Sequence, residues 1–342
     1  MKLFTVFEFV ATLVASLVAA GAVAATQSYP TKSVRLVVPY APGGGSDITA
    51  RAIGQKLAES LGQSFVVDNR AGASGLVGTE LAAKAPADGY TLLLADSAHT
   101  INTVIYAKPR YDAIKDFAPI TLLATTPLAL MAHPSFALSL KELLALPKAQ
   151  SEKISLGMSG QGGGPHMTYL VTRMRTGLTL NIVSYKGGAP ALADVVAGQI
   201  PLVFTSLAAG ITQVTAGRLK GLGLVAAARH PLVPDVPTFQ EAGLKDLAVN
   251  VWYGVFAPGG TPKEILSLLD RQIAKALETP VVRERFATLA IDIAPGGPVE
   301  FRKLLDSELK LWRDVVARSG VSVPGTRLEL KHRNRAWSFS FQ

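Results

Sequence analysis

The sequence predicts an α/β chain made of two similar halves that are joined twice. Three observations point there. Short apolar runs alternate with stretches of helical spacing, once over residues 34–96 and again over residues 154–226. In each half the first strand runs into a glycine-rich loop. Two longer apolar runs, residues 120–132 and 249–257, lie where the chain would have to cross between halves. Alternation of this kind is the grammar of parallel-type sheets with helices on their faces.

Leu36, Val37 and Val38 make the first strand. It breaks at Pro39 and Pro42 and turns through Gly43, Gly44 and Gly45. Ser46 or Asp47 can cap the next helix, in which Ile48, Ile53, Leu57 and Leu61 are spaced helically. A strand, a glycine turn and a helix start form an anion cradle. The first helical turn has unpaired N–H groups and a partial positive charge, and glycine admits close approach. A tight turn with no ligand would give the same local pattern. A strand follows at 64–67, then a second glycine turn at 71–75, a helix at 76–84 and a buried strand at 90–95. Residues 96–100 read as a polar loop. Ligands of such sheets bind at the carboxyl ends of strands, which places 40–47 and 96–100 on one rim.

After the run 120–132, interrupted by Thr125, Thr126 and Pro127, a helix is predicted at 139–146. The pattern then restarts with a strand at 154–158 and the glycine loop 159–165. A helix follows at 166–176, started by Pro165, then a strand at 180–185 and a loop at 186–188. A helix at 189–198 and strands at 202–204 and 222–226 complete this half. The run 249–257 returns the chain. Helices are expected at 262–277, 281–289 and 298–318, the last with Phe301, Leu304, Leu305, Leu309, Trp312 and Val316 on one stripe. Two lobes with a cleft between them are a natural place for a small ligand.

At 342 residues the chain has room for about two domains. A 49% hydrophobic content suffices for two cores, and zero cysteines exclude disulfides, thiolate metal sites and cysteine nucleophiles. The net charge of +9 is spread out, without a basic stripe or zinc-finger spacing, so nucleic acid is not an expected partner. The basic residues cluster only near the end, at Arg327, Lys331, Arg333 and Arg335. Lys2, the apolar run 9–20 and Ala22-Val23-Ala24-Ala25 read as a signal peptide over residues 1–25, cleaved near Ala24 or Ala25. Glu8 is unusual there. The alternative, a membrane anchor, would have a span at the short edge of what crosses a bilayer. A periplasmic location is therefore expected.

Catalytic patterns are weak. Gly157-Met158-Ser159-Gly160-Gln161 lacks the final glycine of a nucleophile elbow. Gly-Gly-Gly-Ser-Asp lacks the lysine and hydroxyl ending of a P-loop. His133, His230 and His332 lie away from the rims. Only His99 and His166 fall in rim segments. No metal-binding histidine pattern and no cofactor fingerprint is visible, so neither a metal nor a cofactor is expected.

Six ordered motifs carry a resemblance: Val-Val-Pro-Tyr-Ala-Pro-Gly-Gly-Gly-Ser-Asp (37–47), Asp-Asn-Arg-Ala-Gly-Ala-Ser-Gly (68–75), Ala-Asp-Gly-Tyr-Thr-Leu-Leu (87–93), Asp-Phe-Ala-Pro-Ile (116–120), Tyr-Lys-Gly-Gly-Ala-Pro-Ala-Leu (185–192) and Asp-Val-Pro-Thr-Phe-Gln-Glu-Ala-Gly (235–243). In this register, over about 29–321, the chain resembles the solute receptors of tripartite tricarboxylate transporters, the Bug family. The resemblance implies a two-domain periplasmic binding protein of the type II, Venus flytrap class, with two hinge crossings. Domain 1 would comprise 26–125 plus 250–321, and domain 2 would comprise 126–249. It implies a monomer that captures a small organic carboxylate between the lobes, held partly through water. The cargo would pass to a two-subunit membrane permease driven by an ion gradient. On the first loop the implied ligand contacts are Tyr40, Gly43, Gly44, Gly45, Ser46 and Asp47. On the second they are Ser159, Gly160, Gly162, Gly163, Gly164 and His166. Tyr185, Lys186 and Gly187 would line the far wall, and Ser97, His99 and Thr205 would vary with the ligand. Specificity is expected around 96–100 and 205–207.

Three departures stand out. Gly162, Gly163, Gly164 and Pro165 replace the serines usual before the histidine, which shifts binding toward backbone N–H groups. Thr205 stands where an acid commonly follows the strand, which argues against an amino-acid ligand. The tail 322–342 has neither helical nor strand period and is expected to be disordered. A sensor domain for a signalling kinase, or a hydrolase on the same scaffold, remain the alternatives.

Overall fold

The computed structural model describes residues 29–106, 109–160, 162–245, 247 and 250–319. The expected signal peptide and the tail 322–342 lie outside the described residues. Two compact units divide the chain, Met1–Thr31 and Lys32–Gln342, and all that follows concerns the second. No helix of the described residues is long and apolar enough to cross a membrane.

The first sheet holds β1 (Val34–Val38), β2 (Phe65–Asn69), β3 (Thr91–Asp96), β4 (Phe117–Ala132), β9 (Asn250–Pro258) and β10 (Asp292–Gly296). β1 is parallel to β2 and β3, whereas β9 and β10 run antiparallel to their neighbours. The second sheet repeats the plan with β5 (Ser155–Met158), β6 (Asn181–Ser184), β7 (Leu202–Ser206) and β8 (Lys220–Val225). There β5 is parallel to β6 and β7, and β4 runs antiparallel between β7 and β8. The α/β class holds, with both sheets mixed: each has three strands paired in parallel, joined to antiparallel neighbours.

β4 joins the sheets. Its residues from Phe117 to Pro127 pair with β9, and from Leu128 onward the partners are β7 and β8. The handover falls at Pro127, which has no N–H to give to a ladder. The buried Thr126 hydroxyl, just before it, accepts from the backbone N–H of Ala208 at 3.3 Å. Both long runs expected to cross are therefore strands.

Helices α1 (Gly45–Leu61), α2 (Leu76–Ala83), α3 (Ala98–Ile105), α4 (Leu140–Leu144), α5 (Lys148–Ser151), α6 (Gly164–Thr176), α7 (Gly188–Val196), α8 (Leu207–Thr215), α9 (Lys263–Glu278), α10 (Pro280–Thr288) and α11 (Pro298–Ser319) complete the order. α11 buries Phe301, Leu305, Leu309, Trp312 and Val316 of the stripe its spacing predicted, and Leu304 is partly buried. One core gathers Val37, Leu93, Phe117, Trp252, Phe256, Phe301 and Leu305. The other gathers Met131, Leu192, Val203, Leu207, Ile211 and Leu224.

The main correction is α3. Residues 96–100 were expected as a polar loop, but a helix starts at Ala98. His99, Thr100 and Asn102 in it are buried and partnered from other segments. Thr100 Oγ1 donates to Glu308 at 2.7 Å, and Asn102 Nδ2 donates to the Ser74 carbonyl at 2.9 Å. α8 and β10 were not anticipated either.

Candidate functional site

The first loop is held from beneath. Asn69, at the end of β2, donates from Nδ2 to the Tyr40 carbonyl and to Asp47 Oδ1, each at 3.0 Å. Asp47 Oδ2 accepts from the Gly43 N–H and from Arg51 Nε, also at 3.0 Å. Burial opposes ionisation of Asp47, but the bonds from Arg51, Gly43 and Asn69 prevail and hold its carboxyl below the usual range. With its base tied, the loop delivers Gly44 and Gly45 to the start of α1. A Cβ on Gly45 would lie 2.0 Å from the Tyr253 hydroxyl, so only glycine fits.

The sheets curl so that their rims meet. β1 and β6 are six places apart in the strand order, which in a flat sheet is roughly 29 Å. Yet the Ala41 N–H, after β1, donates to the Lys186 carbonyl, after β6, at 3.0 Å. Ser74 Oγ donates to the Ser159 carbonyl at 3.4 Å.

Between the rims lies a cavity with about 490 Å³ of atom-free space, mouth included. Five helices begin on its wall: α1 at Gly44, Gly45 and Ser46, α3 at Ser97, α6 at Gly163, Gly164 and Pro165, α7 at Gly188, and α8 at Ser206. Tyr40, Asp96, Ser159, Thr205 and Tyr253 add polar side chains, while Leu128 and Val251 add apolar surface. No lysine, arginine or histidine is among these lining residues.

Of the residues expected at the site, Tyr40, Gly44, Gly45, Ser46, Ser97, Ser159, Gly163, Gly164 and Thr205 line the cavity. The others do not. Gly43 and Asp47 belong to the brace beneath. The His99 ring is buried against Phe256, centroids 4.4 Å apart, with Nε2 bonded to the Ala113 carbonyl at 3.0 Å. Its place in the apolar core, not at the rim, follows from the start of α3. His166 is also buried, and its Nδ1 accepts from the Gly162 N–H at 3.3 Å. Burial pushes both imidazoles down to about 4. Gly160 packs on Ser74, Gly162 on Asn102 and Gly187 on Ala41. Lys186 contributes its carbonyl to the rim contact. The Tyr185 hydroxyl donates to Asp194 at 2.5 Å. Burial and that carboxylate raise Tyr185 to about 12.

Asp96, Leu128, Pro165, Gly188, Ser206, Val251 and Tyr253 line the cavity without having been singled out as site residues. Asp96 and Ser206 lie in the segments where specificity was expected. Tyr253 is visible only through the β9 register, which pairs it with Asp96. Asp96 Oδ1 accepts from the Tyr40 hydroxyl and from the Ala98 N–H, both at 2.9 Å. Burial lifts this carboxyl up to about 6, against those bonds. Behind it, burial lifts Glu308 up to about 7, the Thr100 bond opposes this, and the charge of Asp96 adds to it.

Known proteins resemble the chain over most of its length. A family model, tripartite tricarboxylate transporter family receptor, matches residues 49–321. Protein BugT of Bordetella pertussis is 33% identical over 299 residues, 86% of this chain and 92% of that protein. A solved structure described as Rhodopseudomonas palustris Rpa4515 with adipate superposes with a TM-score of 0.81 at 32% identity, covering 86% of this chain and 99% of that one. MatC of the same organism, described with bound malate, gives 0.80 at 31%, covering 84% and 100%. The chain belongs to the tripartite tricarboxylate transporter receptor family, the solute-binding family of the Bug proteins.

Proposed function

We propose that this protein is a periplasmic receptor that captures a small organic carboxylate in the cavity and hands it to a two-subunit membrane permease. One observation carries the reading: five helix starts converge on a cavity whose lining has no basic side chain. Each helix dipole contributes about 0.3–1 kcal/mol toward an anion, up to about 2 when partly buried. Each hydrogen bond to a charged group adds roughly 1.5–3 kcal/mol. A few such terms reach the roughly 8 kcal/mol of a micromolar complex. The ligands named for Rpa4515 and MatC, adipate and malate, are of this chemical class.

The lobes in this reading part at the two crossings, near residues 125 and 249. The protein acts as a monomer, delivered by its leader peptide, and turns nothing over. His99 and His166, the histidines a hydrolase would call on, do not line the cavity, which supports a binding role. The test is thermal unfolding of protein refolded from denaturant to free it of ligand, against a panel of mono-, di- and tricarboxylates. At least one acid raises the melting temperature by mass action on the native state. An unchanged melting temperature across the panel overturns the reading.

A further inference from the structure

Asp96 is the feature of the cavity that a plain anion leaves unexplained. Its carboxyl lies on the wall at the end of β3, partly buried and open to the cavity, and both of its donors from other groups, Tyr40 and Ala98, reach the same oxygen, Oδ1. The titratable groups that face it are Tyr40 from the β1–α1 loop, Tyr111 from the segment after α3, Tyr253 from β9 and Glu308 from α11. None of these is a cation, and Glu308 carries the same sign. No ion pair to Asp96 is formed among the described residues. A carboxylate largely withdrawn from water, as this one is once a ligand fills the cavity, is costly unless a cation meets it.

The cavity therefore has two poles. The helix starts favour a negative group, and Asp96 favours a positive one. A ligand with carboxylates alone suits the first pole and opposes the second. We infer that the ligand is a small amino-carboxylate whose carboxylate lies at the helix starts and whose ammonium lies at Asp96, the residue that sets specificity. This rests on the reading of the protein as a carboxylate receptor. Thr205, where the sequence lacks the acid that would argue for an amino acid, lies on the same wall as Asp96. The acid comes from β3 instead of β7. An ammonium at this point draws Asp96 down from about 6, so a proton leaves on binding.

The experiment is calorimetry of the full-length, refolded protein with matched pairs: L-amino acids and the same acids without the amino group. Amino acids bind tighter than their partners by roughly tenfold or more, since a site built for a polar group rejects the analogue lacking it. Asp96→Asn removes that preference. At about pH 6, in buffers of different ionisation enthalpy, the unmodified protein releases protons on binding an amino acid. This readout does not depend on the variant folding. Equal or tighter binding of the deaminated partners with proton uptake overturns the inference, because Asp96 then carries a proton in place of an ammonium, and the receptor reading survives. If neither member of any pair binds, the inference falls, and the receptor reading falls with it only if the carboxylate panel also leaves the melting temperature unchanged.

Discussion

The Ala41 N–H and the Lys186 carbonyl meet at 3.0 Å between the two rims, although one follows β1 and the other β6. That bond and the Ser74–Ser159 bond tie the two rims together, with no side-chain ion pair between the rims among the described residues.

Gly160 sits at φ +100°, and a Cβ there would lie 2.5 Å from Ser74 Oγ. Gly160→Ala therefore turns the Ser74 hydroxyl away from the Ser159 carbonyl, which loosens the contact between the rims, and strains its own backbone by about 1–2 kcal/mol. Ligand affinity falls about tenfold, and small-angle scattering reports a larger radius of gyration in the presence of ligand. An unchanged radius would show that the rims close by another contact.

Asp47 is a brace and does not line the cavity. Asp47→Asn weakens three bonds and costs about 2–3 kcal/mol of stability in urea unfolding. Because the folded carboxyl titrates below its ordinary value, its contribution is present above about pH 4 and is lost as the pH falls further. Affinity measured well below the melting temperature changes little. A large affinity loss at unchanged stability would place Asp47 at the ligand.

Two sets of buried groups oppose one another in pH. Glu308, up to about 7, and Asp96, up to about 6, stabilise the fold at low pH, and that contribution is lost as the pH rises from about 4 through those values. His99 and His166, down to about 4, stabilise it above about pH 6.5, and theirs is lost as the pH falls. The two nearly cancel between about pH 4.5 and 6.5. Glu308→Gln leaves Asp96 alone to oppose the two histidines, and the variant loses about 2 kcal/mol more than the parent as the pH falls across that window. Chemical unfolding at several pH values checks the tilt, and a parallel profile for the two proteins would refute it.

Tyr40→Phe removes a donor that favours the ionised form of Asp96. The carboxyl then titrates about one unit higher, which corresponds to about 1.4 kcal/mol. Carbon-13 NMR of the side-chain carboxyls reads this directly.

Much of the architecture was legible in the chain because its cause is local. Leu36-Val37-Val38 and the glycines after it read as strand and turn from composition alone, and the stripe of α11 read from spacing. The crossings at 120–132 and 249–257 stood out because strands buried on both faces are apolar throughout. α3 was hidden for the opposite reason. His99, Thr100 and Asn102 look like loop residues, and their partners Ala113, Glu308 and Ser74 lie far away in sequence.

By itself, then, the sequence determined two βα halves, the glycine loops that open their helices and the strands that join them, since periodicity and turn chemistry act over a few residues. The tertiary structure decided which of those residues share a cavity. It sent His99 into the core, made Asp47 a brace, and brought Asp96 and Tyr253 onto the wall. That outcome depends on the curl of the sheets and the register of β9 against β3, which sum contacts over the whole chain and leave no local mark.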